Sequence, residues 1–414
     1  MSGKLTHAPP RVWSTKSQMD ELEEIARETQ GSWPFNNLIG KNPDRPFRIC
    51  ALNLHRTLGD FVESCIFAAS VKQLFDFAKL SILYRDDRVF KSPLMKLMPN
   101  LDHSWMVPGD ALIPLEAFDF AGAKLIQFQS ESWRKSDGEI PDLVLTPSMM
   151  KRESLPAFEC LARLEFPQEL AVREEARLRS TGLSPDRWFC VLHYRDTNEF
   201  RYEHSIPRPN RDLAIEKVVP VVEHVIKALG GQVVRVGHRE MAPLPEIDGF
   251  FDISGIESPI LLHAYAISRS RFFLELSPSG AYAIALGFGV PIARCGNVAT
   301  YGPVDEQSIV LPKHVVGPNN KRVCTEKLSR LGLFDENIIE SKLKARGYRF
   351  AENSIAEFKK AAEQIFENTA DTPGWRESRP TPNPTTLNNF VLPMKARTRH
   401  TVVEYPDLAP NFGE

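Results

Sequence analysis

Apolar runs and segments of helical spacing alternate along the chain from residue 47 onward. Phe47–Leu54 is typical of a buried strand, Phe61–Lys79 repeats its apolar positions at helical spacing, and Leu80–Tyr84 is typical of a second strand. This β–loop–α–β order predicts a doubly wound α/β domain. Apolar segments around Ala123–Gln127 and Asp142–Leu145 predict further strands of the same sheet.

A second series of the same kind begins after Thr181. Its predicted strands are Trp188–His193, Gln232–Val236 and Phe251–Ile253, and its predicted helices are Leu213–Ala228 and Pro259–Ser268. Ser354 and Glu357 have the spacing of a capping box, which predicts a last helix that ends near Asn368. Alternating strands and helices of this length predict a second parallel sheet.

Residues 272–294, FFLELSPSGAYAIALGFGVPIAR, predict a strand, a tight turn, a short helix and another strand. A strand that enters a Ser/Gly turn and then a helix leaves backbone N–H groups free, and the helix dipole adds partial positive charge there. The turn Ser277–Gly280 is therefore suited to a phosphate or diphosphate, and the hydroxyls of Ser277 and Ser279 add donors. The alternative is an ordinary βαβ unit in which a serine caps the helix.

The length of 414 residues exceeds what one hydrophobic core usually serves, so two domains are expected. We predict a polar N-terminal arm (1–46), a first α/β domain (47–180), a second α/β domain (181–370) and a tail rich in Pro, Thr and Asn (371–414). The predicted fold class is thus α/β, with two Rossmann-like, doubly wound domains.

Composition and charge argue against some partners and locations of the protein, nucleic acid and a membrane span among them. The 51 basic residues are scattered among 53 acidic ones, with a net charge of −2, so nucleic acid is not expected as a partner. The six cysteines lack metal-binding spacing, which favours reduced thiols and a cytoplasmic location. No uninterrupted run of about 18 apolar residues is present, so we expect no transmembrane segment.

Five loops are expected at the carboxyl ends of the predicted strands, where open α/β sheets bind ligands. They are His55–Asp60, His193–Asp196, Arg235–Arg239, Ser277–Gly280 and Asn297–Pro303. Each loop contains a hydrogen-bond donor or a titratable group. If the two domains face each other, all five loops surround one cleft, and a single anionic ligand explains them together.

Single side chains in these loops suit particular roles. Arg195 and Arg235 offer planar, permanently charged donors for a diphosphate, although each could instead form a salt bridge at the sheet end. His193 and His238 could donate to phosphate or ribose oxygens, or could be structural donors. Asp60 could accept the proton of an attacking hydroxyl, with helix N-capping as the alternative.

Several familiar motifs are missing from the chain. It has no GxxxxGK[ST], no GxGxxG after a first strand, no GxSxG and no HExxH, which removes support for several nucleotide-binding and hydrolase classes. It also has no Asp-x-Asp triplet in a suitable loop. We therefore expect no cofactor and no metal, with arginine, serine and a helix N-terminus neutralising a leaving phosphate.

Four blocks of the second half resemble a bacterial family of glycosyltransferases with the GT-B fold. They are CVLHYRD (190–196), the segment 207–238, PLPEIDGFFDISG (243–255) and the segment 272–294. In the first half, RTLGD (56–60) is similar to the opening loop of heptosyltransferases. The resemblance implies two facing Rossmann-like domains, with the nucleotide-sugar donor bound mainly by the second and the acceptor by the first.

The resemblance also implies roles for residues. Asp60 would be the base for inversion at the anomeric carbon, and His55, Arg56 and Gly59 would form the acceptor loop around it. The donor-site candidates are His193, Arg195, Arg235, Gly237, His238, Ser277, Ser279, Gly280 and Tyr301. One departure is Pro278, because the family usually has Gly-Thr-Ser-Ser-Gly at this turn and proline removes a backbone donor.

The function predicted from these residues is metal-independent, inverting transfer of a sugar from a nucleotide-sugar donor to a hydroxyl acceptor. The acceptor could be a glycan, a lipid-linked sugar, a protein or a small molecule, and a homo-oligomer stays open. Two alternatives remain at this point: a nucleotide-sugar-binding protein without catalysis, which Pro278 favours, and an enzyme that resembles UDP-sugar epimerases.

Overall fold

The computed structural model describes residues 47–74, 78–108, 118–119, 124–125, 143–145, 150, 155, 158, 160–196, 211–297, 306–323, 327, 343–377 and 401–402. The chain forms two compact units, and the main division falls between Ala162 and Arg163. Each unit contains a parallel sheet, so the predicted α/β class is confirmed. The predicted N-terminal arm (1–46) lies outside the described residues.

The first unit is built on a parallel sheet with the strand order β3-β2-β1-β6. Its described strands are β1 (Phe47–Asn53), β2 (Ala78–Asp86), β3 (His103–Pro108), β4 (Phe118–Asp119), β5 (Lys124–Leu125) and β6 (Leu143–Leu145), and its described helices are α1 (Leu58–Gln73) and α2 (Lys91–Met95). α1 follows β1 directly and buries Phe61, Cys65 and Ile66 among its apolar positions. The predicted order of β1, α1 and β2 is confirmed.

Three details of the first unit differ from the prediction. α1 ends at Gln73, earlier than predicted, because the alternating burial of a strand starts at Ala78. Lys124–Leu125 pairs antiparallel with Phe118–Asp119 instead of joining the parallel sheet. β3 was not predicted, since its sequence, HSWMVP, begins with two exposed polar residues and ends in a proline, which leaves no apolar run of strand length.

The second unit contains a seven-stranded parallel sheet with the order β15-β12-β11-β10-β7-β8-β9. Its strands are β7 (Phe189–His193), β8 (Gln232–Arg235), β9 (Phe250–Asp252), β10 (Phe272–Glu275), β11 (Ile292–Asn297), β12 (Ile309–Pro312) and β15 (Thr401–Val402), and a separate antiparallel pair is formed by β13 (His314–Val316) and β14 (Arg349–Ala351). The chain runs from β7 outward to β9 and then returns to add β10 on the other side of β7. The strand order therefore reverses between β7 and β10, which is the switch point where such sheets bind ligands.

Helices cover both faces of this sheet. They are α3 (Gln168–Arg179), α4 (Ile215–Lys227), α5 (Pro259–Arg269), α6 (Tyr282–Gly287) and α7 (Ile355–Asn368). The predicted capping box of α7 is confirmed: Glu357 N–H donates to Ser354 Oγ over 3.2 Å, and Ser354 N–H donates to Glu357 Oε2 over 2.7 Å. Phe358 and Ile365 of α7 share one buried core with Val221 of α4.

The structure moves both predicted boundaries of the second domain. The start lies before α3 and not at residue 181, because Tyr265 Oη of α5 donates to Glu175 Oε2 of α3 over 2.8 Å. The end lies beyond residue 370, because Trp375 packs on Phe189 of β7 with ring centroids 5.4 Å apart. Further along the predicted tail, β15 pairs with β12 at the sheet edge, and most other tail residues lie outside the described ones.

Candidate functional site

The switch point joins the ends of β7 and β10. His193 and Glu275 are register partners at these two ends. Just beyond them, Leu276 N–H donates to the carbonyl of His193 over 3.0 Å, and Arg195 N–H donates to Ser277 Oγ over 2.8 Å. The loops that follow the two strands are therefore tied together by hydrogen bonds at the carboxyl edge of the sheet.

The turn after β10 is organised by the buried carboxylate of Glu275. Its Oε1 accepts from the N–H of Ser279 over 2.7 Å and from the Ser279 hydroxyl over 3.2 Å. The N–H of Ala281 donates to Ser279 Oγ over 3.2 Å. These two backbone N–H groups are thus used inside the turn, contrary to the expectation that they are free. The N–H of Gly280 makes no hydrogen bond with a described residue.

Arg294 of β11 is the partner that makes this buried carboxylate tolerable. Its Nε lies 2.9 Å from Glu275 Oε2, and the two side chains are only 2% and 0% exposed. The guanidinium also lies over the ring of Tyr282 at 3.8 Å from its centroid and donates to Asn297 Oδ1 over 3.1 Å. Breaking such a pair leaves an uncompensated charge in the core, so the turn and the pair depend on each other.

Sequence reasoning did not single out Glu275 and Arg294, although a signal was present. Each is the charged residue in an otherwise apolar strand, FFLEL and PIAR. The two strands are neighbours, and Glu275 and Arg294 are register partners. Opposite charges at matching positions of adjacent predicted strands are the pattern that would have indicated the pair.

Arg235 forms the salt bridge that was the alternative to phosphate binding. It is 1% exposed, and its terminal nitrogens contact Asp252 Oδ2 at 2.7 Å, Tyr194 Oη at 2.8 Å and the carbonyl of Ala242 at 2.6 Å. Asp196 Oδ2 accepts from Ala242 N–H over 2.6 Å. Together these bonds hold the segments after β7, β8 and β9 against one another.

Gly237 lies in the loop after β8 and must be a glycine for two reasons. Its φ of +153° lies in the region that favours glycine, and a Cβ on it would overlap Met241 Sδ. His238 follows it, and its Nδ1 accepts from Glu240 N–H over 3.2 Å. The space that a side chain would need at this position is filled by Met241, so packing within the unit accounts for the glycine.

His193 is the buried polar residue at the centre of the switch point. Burial, assisted by the positive charges of Arg195 and Arg235, lowers the pKa of His193 to about 3, so its imidazole is neutral at physiological pH. Its Nδ1 is buried and has no hydrogen-bond partner among the described residues. An unsatisfied buried polar atom costs about 1–3 kcal/mol, which a hydrogen bond to a ligand would recover.

In the first unit, the candidate acceptor residues lie together after β1. Asp60 is exposed in the first turn of α1, and Thr57 Oγ1 donates to its Oδ2 over 2.6 Å. Thr57, and not Asp60, occupies the N-cap position of α1. Arg56 Nε lies 3.3 Å from Asp87 Oδ2, His55 is in the same loop, and Gly59 lies in the first turn of α1.

The structure thus brings the candidates together in two groups, one in each unit. Of the donor-site candidates, Tyr301 lies outside the described residues. Among the described residues, no group of three His, Cys, Asp or Glu side chains is arranged to hold a metal ion. No helix in the described part of the chain is long and apolar enough to cross a membrane.

The described cysteines offer no reactive thiol in either group. Cys50, Cys65, Cys190 and Cys295 are buried, and none of the described cysteines forms a disulfide. Burial raises the pKa of each of these four thiols, to about 12 for Cys65. A thiol of such high pKa is neither a nucleophile nor a metal ligand at neutral pH.

No family model matches the chain, and no curated protein matches it in sequence. Among solved structures, it is similar to the glycosyl transferase family 9 structure from Veillonella parvula DSM 2008, with 16% identity over 78% of this chain and 99% of that chain and a TM-score of 0.49. It is also similar to E. coli heptosyltransferase WaaC with ADP, with 11% identity over 79% and 99% and a TM-score of 0.38. The E. coli ADP-heptose lps heptosyltransferase II matches with 11% identity over 60% and 84% and a TM-score of 0.36. At these values no residue role carries over from those proteins to this chain.

Proposed function

We propose that this protein is a glycosyltransferase that moves a sugar from a nucleotide-sugar donor to a hydroxyl acceptor, with two Rossmann-like domains of the GT-B type. The observation that carries the proposal is the switch point of the second sheet, where the bond from Arg195 N–H to Ser277 Oγ joins the loops after β7 and β10. The unpartnered Nδ1 of His193 lies at the same strand end and is ready for a ligand group. Both features fit the place at which doubly wound sheets bind nucleotides.

The groups proposed to bind the diphosphate are hydrogen-bond donors near the turn after β10 that the turn does not use for its own bonds. The Ser277 hydroxyl is available, since its oxygen accepts from Arg195 N–H while its own hydrogen makes no bond to a described residue. The N–H of Gly280 is available in the same turn. The side chain of Arg195 adds a permanent positive charge beside them. Ser279 and Arg235 then act by holding the loops, since the N–H and hydroxyl of Ser279 and the terminal nitrogens of Arg235 are engaged within the unit.

The remaining donor-site candidates keep their proposed places around the nucleotide. His193 would donate to or accept from a ribose or phosphate oxygen through its neutral imidazole. Gly237 and His238 keep their proposed places because their loop follows β8 at the carboxyl edge of the sheet. Tyr301 stays a candidate from the sequence alone.

The proposed reaction is a direct displacement with inversion. The acceptor oxygen bonds to the anomeric carbon as Asp60 takes its proton, and the bond from that carbon to the phosphate oxygen breaks. The electron pair leaves with the nucleoside diphosphate. Donors at Arg195, Ser277 and Gly280 stabilise the developing charge, an effect worth about 2.7–4 kcal/mol for one well-placed donor. We propose that this set acts without a metal ion.

A transfer assay tests the proposed function. The protein is incubated with UDP, GDP, CMP and ADP sugars and a panel of hydroxyl acceptors, and release of nucleotide and formation of a glycoside are both measured. Asp60→Asn is expected to reduce transfer by about 10²–10⁴-fold while leaving nucleotide binding intact. Asp86→Asn, at an exposed aspartate that ends β2, is the matched control and should transfer normally. Epimer formation without an acceptor, or full transfer by Asp60→Asn, would contradict the proposal.

A further inference from the structure

A fully buried lysine lies beneath the loop that carries the candidate base. Lys91 of α2 has a side chain that is 0% exposed, and its Nζ lies 2.5 Å from Asp87 Oδ1. The other oxygen of the same carboxylate, Asp87 Oδ2, lies 3.3 Å from Arg56 Nε. One carboxylate therefore connects a buried ammonium to an arginine that is 69% exposed, in the loop just before Asp60.

Lys91 also contacts the other end of this loop. Its Nζ lies over the ring of Phe61, 5.3 Å from the centroid, and Phe61 directly follows Asp60 in the chain. The backbone of Phe61 is fixed as well, because its carbonyl accepts from Asn53 Nδ2 at the end of β1 over 2.8 Å. Lys91 thus contacts Asp87, which binds Arg56 on one side of Asp60, and Phe61 on the other side.

Stability alone does not account for a lysine at this position. Burying an ammonium costs several kcal/mol, and an apolar side chain of similar length commonly serves a core as well or better. Burial acts to lower the pKa of Lys91, and the bond to Asp87 opposes that shift. Lysine, unlike methionine, donates a hydrogen bond that fixes the Asp87 carboxylate. The second oxygen of this carboxylate then lies beside Arg56.

We propose that Lys91 is a positioning residue, which through Asp87 holds the loop 54–57 and through Phe61 holds the first turn of α1, and so sets the place of Arg56 and Asp60. The consequence for catalysis rests on the proposed function, while the consequence for the loop does not. Removing Lys91 should loosen the loop without unfolding the unit. A displaced base commonly costs on the order of a hundredfold in turnover, with little effect on binding of the other substrate.

Two measurements on Lys91→Met test this, with Lys96→Met as the control because Lys96 is exposed at the end of the same helix. The first is the rate at which trypsin cuts the full-length protein after Arg56, followed by mass spectrometry. Lys91→Met should raise this rate about fivefold or more, since the loop opens locally, and Lys96→Met should not change it. The second is transfer: Lys91→Met should lower kcat at least about tenfold with an unchanged KM for the donor.

The outcomes separate the two proposals. If the unaltered protein transfers no sugar, the proposed function fails, and the cleavage rate still decides the role of Lys91. If trypsin cuts Lys91→Met at the same rate as Lys96→Met and the two variants have the same kcat for transfer, Lys91 is not a positioning residue. Should Lys91→Met fail to fold, Asp87→Asn replaces it, with the neighbouring and exposed Asp86→Asn as its control. Equal cleavage of those two variants would likewise overturn the inference.

Discussion

The backbone N–H of Arg195 donates to Ser277 Oγ over 2.8 Å, across the point where the strand order of the second sheet reverses. The bond fixes two loops that belong to strands far apart in sequence, with a separation of 82 residues between its partners. The proposed diphosphate site depends on it, because it holds the Ser277 hydroxyl and the Arg195 backbone beside each other.

Ser277→Ala should weaken both stability and nucleotide binding. It leaves the N–H of Arg195 without its acceptor, which costs about 1–3 kcal/mol of the free energy of unfolding, and it removes one proposed phosphate donor. Ser308→Ala is a matched control at the start of β11 and β12, where the Ser308 hydroxyl accepts from Ile292 N–H over 2.8 Å. Urea unfolding should show similar losses for both variants, and only Ser277→Ala should lose nucleotide affinity. Equal affinity in the two variants would remove Ser277 from the site.

The buried pair of Glu275 and Arg294 predicts an asymmetry between single and double substitution. Glu275→Gln keeps an acceptor for Ser279 N–H and leaves Arg294 as an uncompensated buried cation, so it should cost about 3–5 kcal/mol of the free energy of unfolding. Glu275→Leu combined with Arg294→Met should cost less than the single change, because no charge is then left in the core. Chemical denaturation of the three proteins measures this. A double variant less stable than Glu275→Gln would show that the pair is not coupled in this way.

The lowered pKa of His193 predicts that the protein loses stability in mild acid. This folded pKa of about 3 lies below the ordinary histidine value of 6.5, so between these values the unfolded chain binds more protons. The stability that the neutral imidazole contributes is complete above about pH 6.5 and is lost as the pH falls toward 3, at up to about 1.4 kcal/mol per pH unit. Bonds from His314 and Ser354 lower the pKa of Glu357 to about 2 against the effect of burial, so its stabilising contribution is complete above about pH 4.5 and is lost only as the pH falls from there toward 2.

The contribution of His193 can be isolated by measuring the free energy of unfolding of His193→Asn between about pH 7 and pH 5, since asparagine does not titrate. The slope of the free energy of unfolding against pH should be smaller in this variant than in the unaltered protein. His263, with a pKa lowered by burial to about 4, keeps its own contribution in both proteins. Identical slopes would mean that His193 is accessible to protons in the folded state.

Arg235 and Arg195 should respond differently to loss of their side chains. Arg235→Met removes the contacts to Asp252, Tyr194 and Ala242, so it should cost several kcal/mol of stability and disturb three loops at once. Arg195→Met should lower nucleotide affinity, because it removes a permanent positive charge from the proposed diphosphate site. Thermal unfolding with and without nucleotide separates the two effects. A loss of nucleotide affinity in Arg235→Met but not in Arg195→Met would mean that Arg235, and not Arg195, binds the diphosphate.

Local signals predicted much of the second unit correctly. The capping box at Ser354 and Glu357 gave the start of α7, and the Ser/Gly turn gave the break between β10 and α6, because both depend on residues close in sequence. The resemblance implied a donor site in the same region, and that site stays a prediction. These features need no knowledge of which strands are neighbours.

What the sequence did not give depends on contacts between distant segments. The role of Glu275 follows from its register with Arg294. Arg235 is engaged because Tyr194 and Ala242 from two loops and Asp252 from the end of β9 contact it. The N–H of Ser279 looked free in the linear pattern and is bonded in the fold. The edge strand β3 was missed because its sequence, HSWMVP, has only three successive apolar residues before a proline.

The central claim, that the switch point of the second sheet holds the diphosphate of a nucleotide sugar, is tested most directly by thermal unfolding against UDP, GDP, CMP and ADP sugars. A ligand at about 100 times its Kd stabilises the native state by about 2.7 kcal/mol, so one nucleotide should raise Tm clearly, and the rise should shrink in Arg195→Met and Ser277→Ala but not in Ser308→Ala. No rise with any nucleotide sugar, or an equal rise in all three variants, would contradict the account.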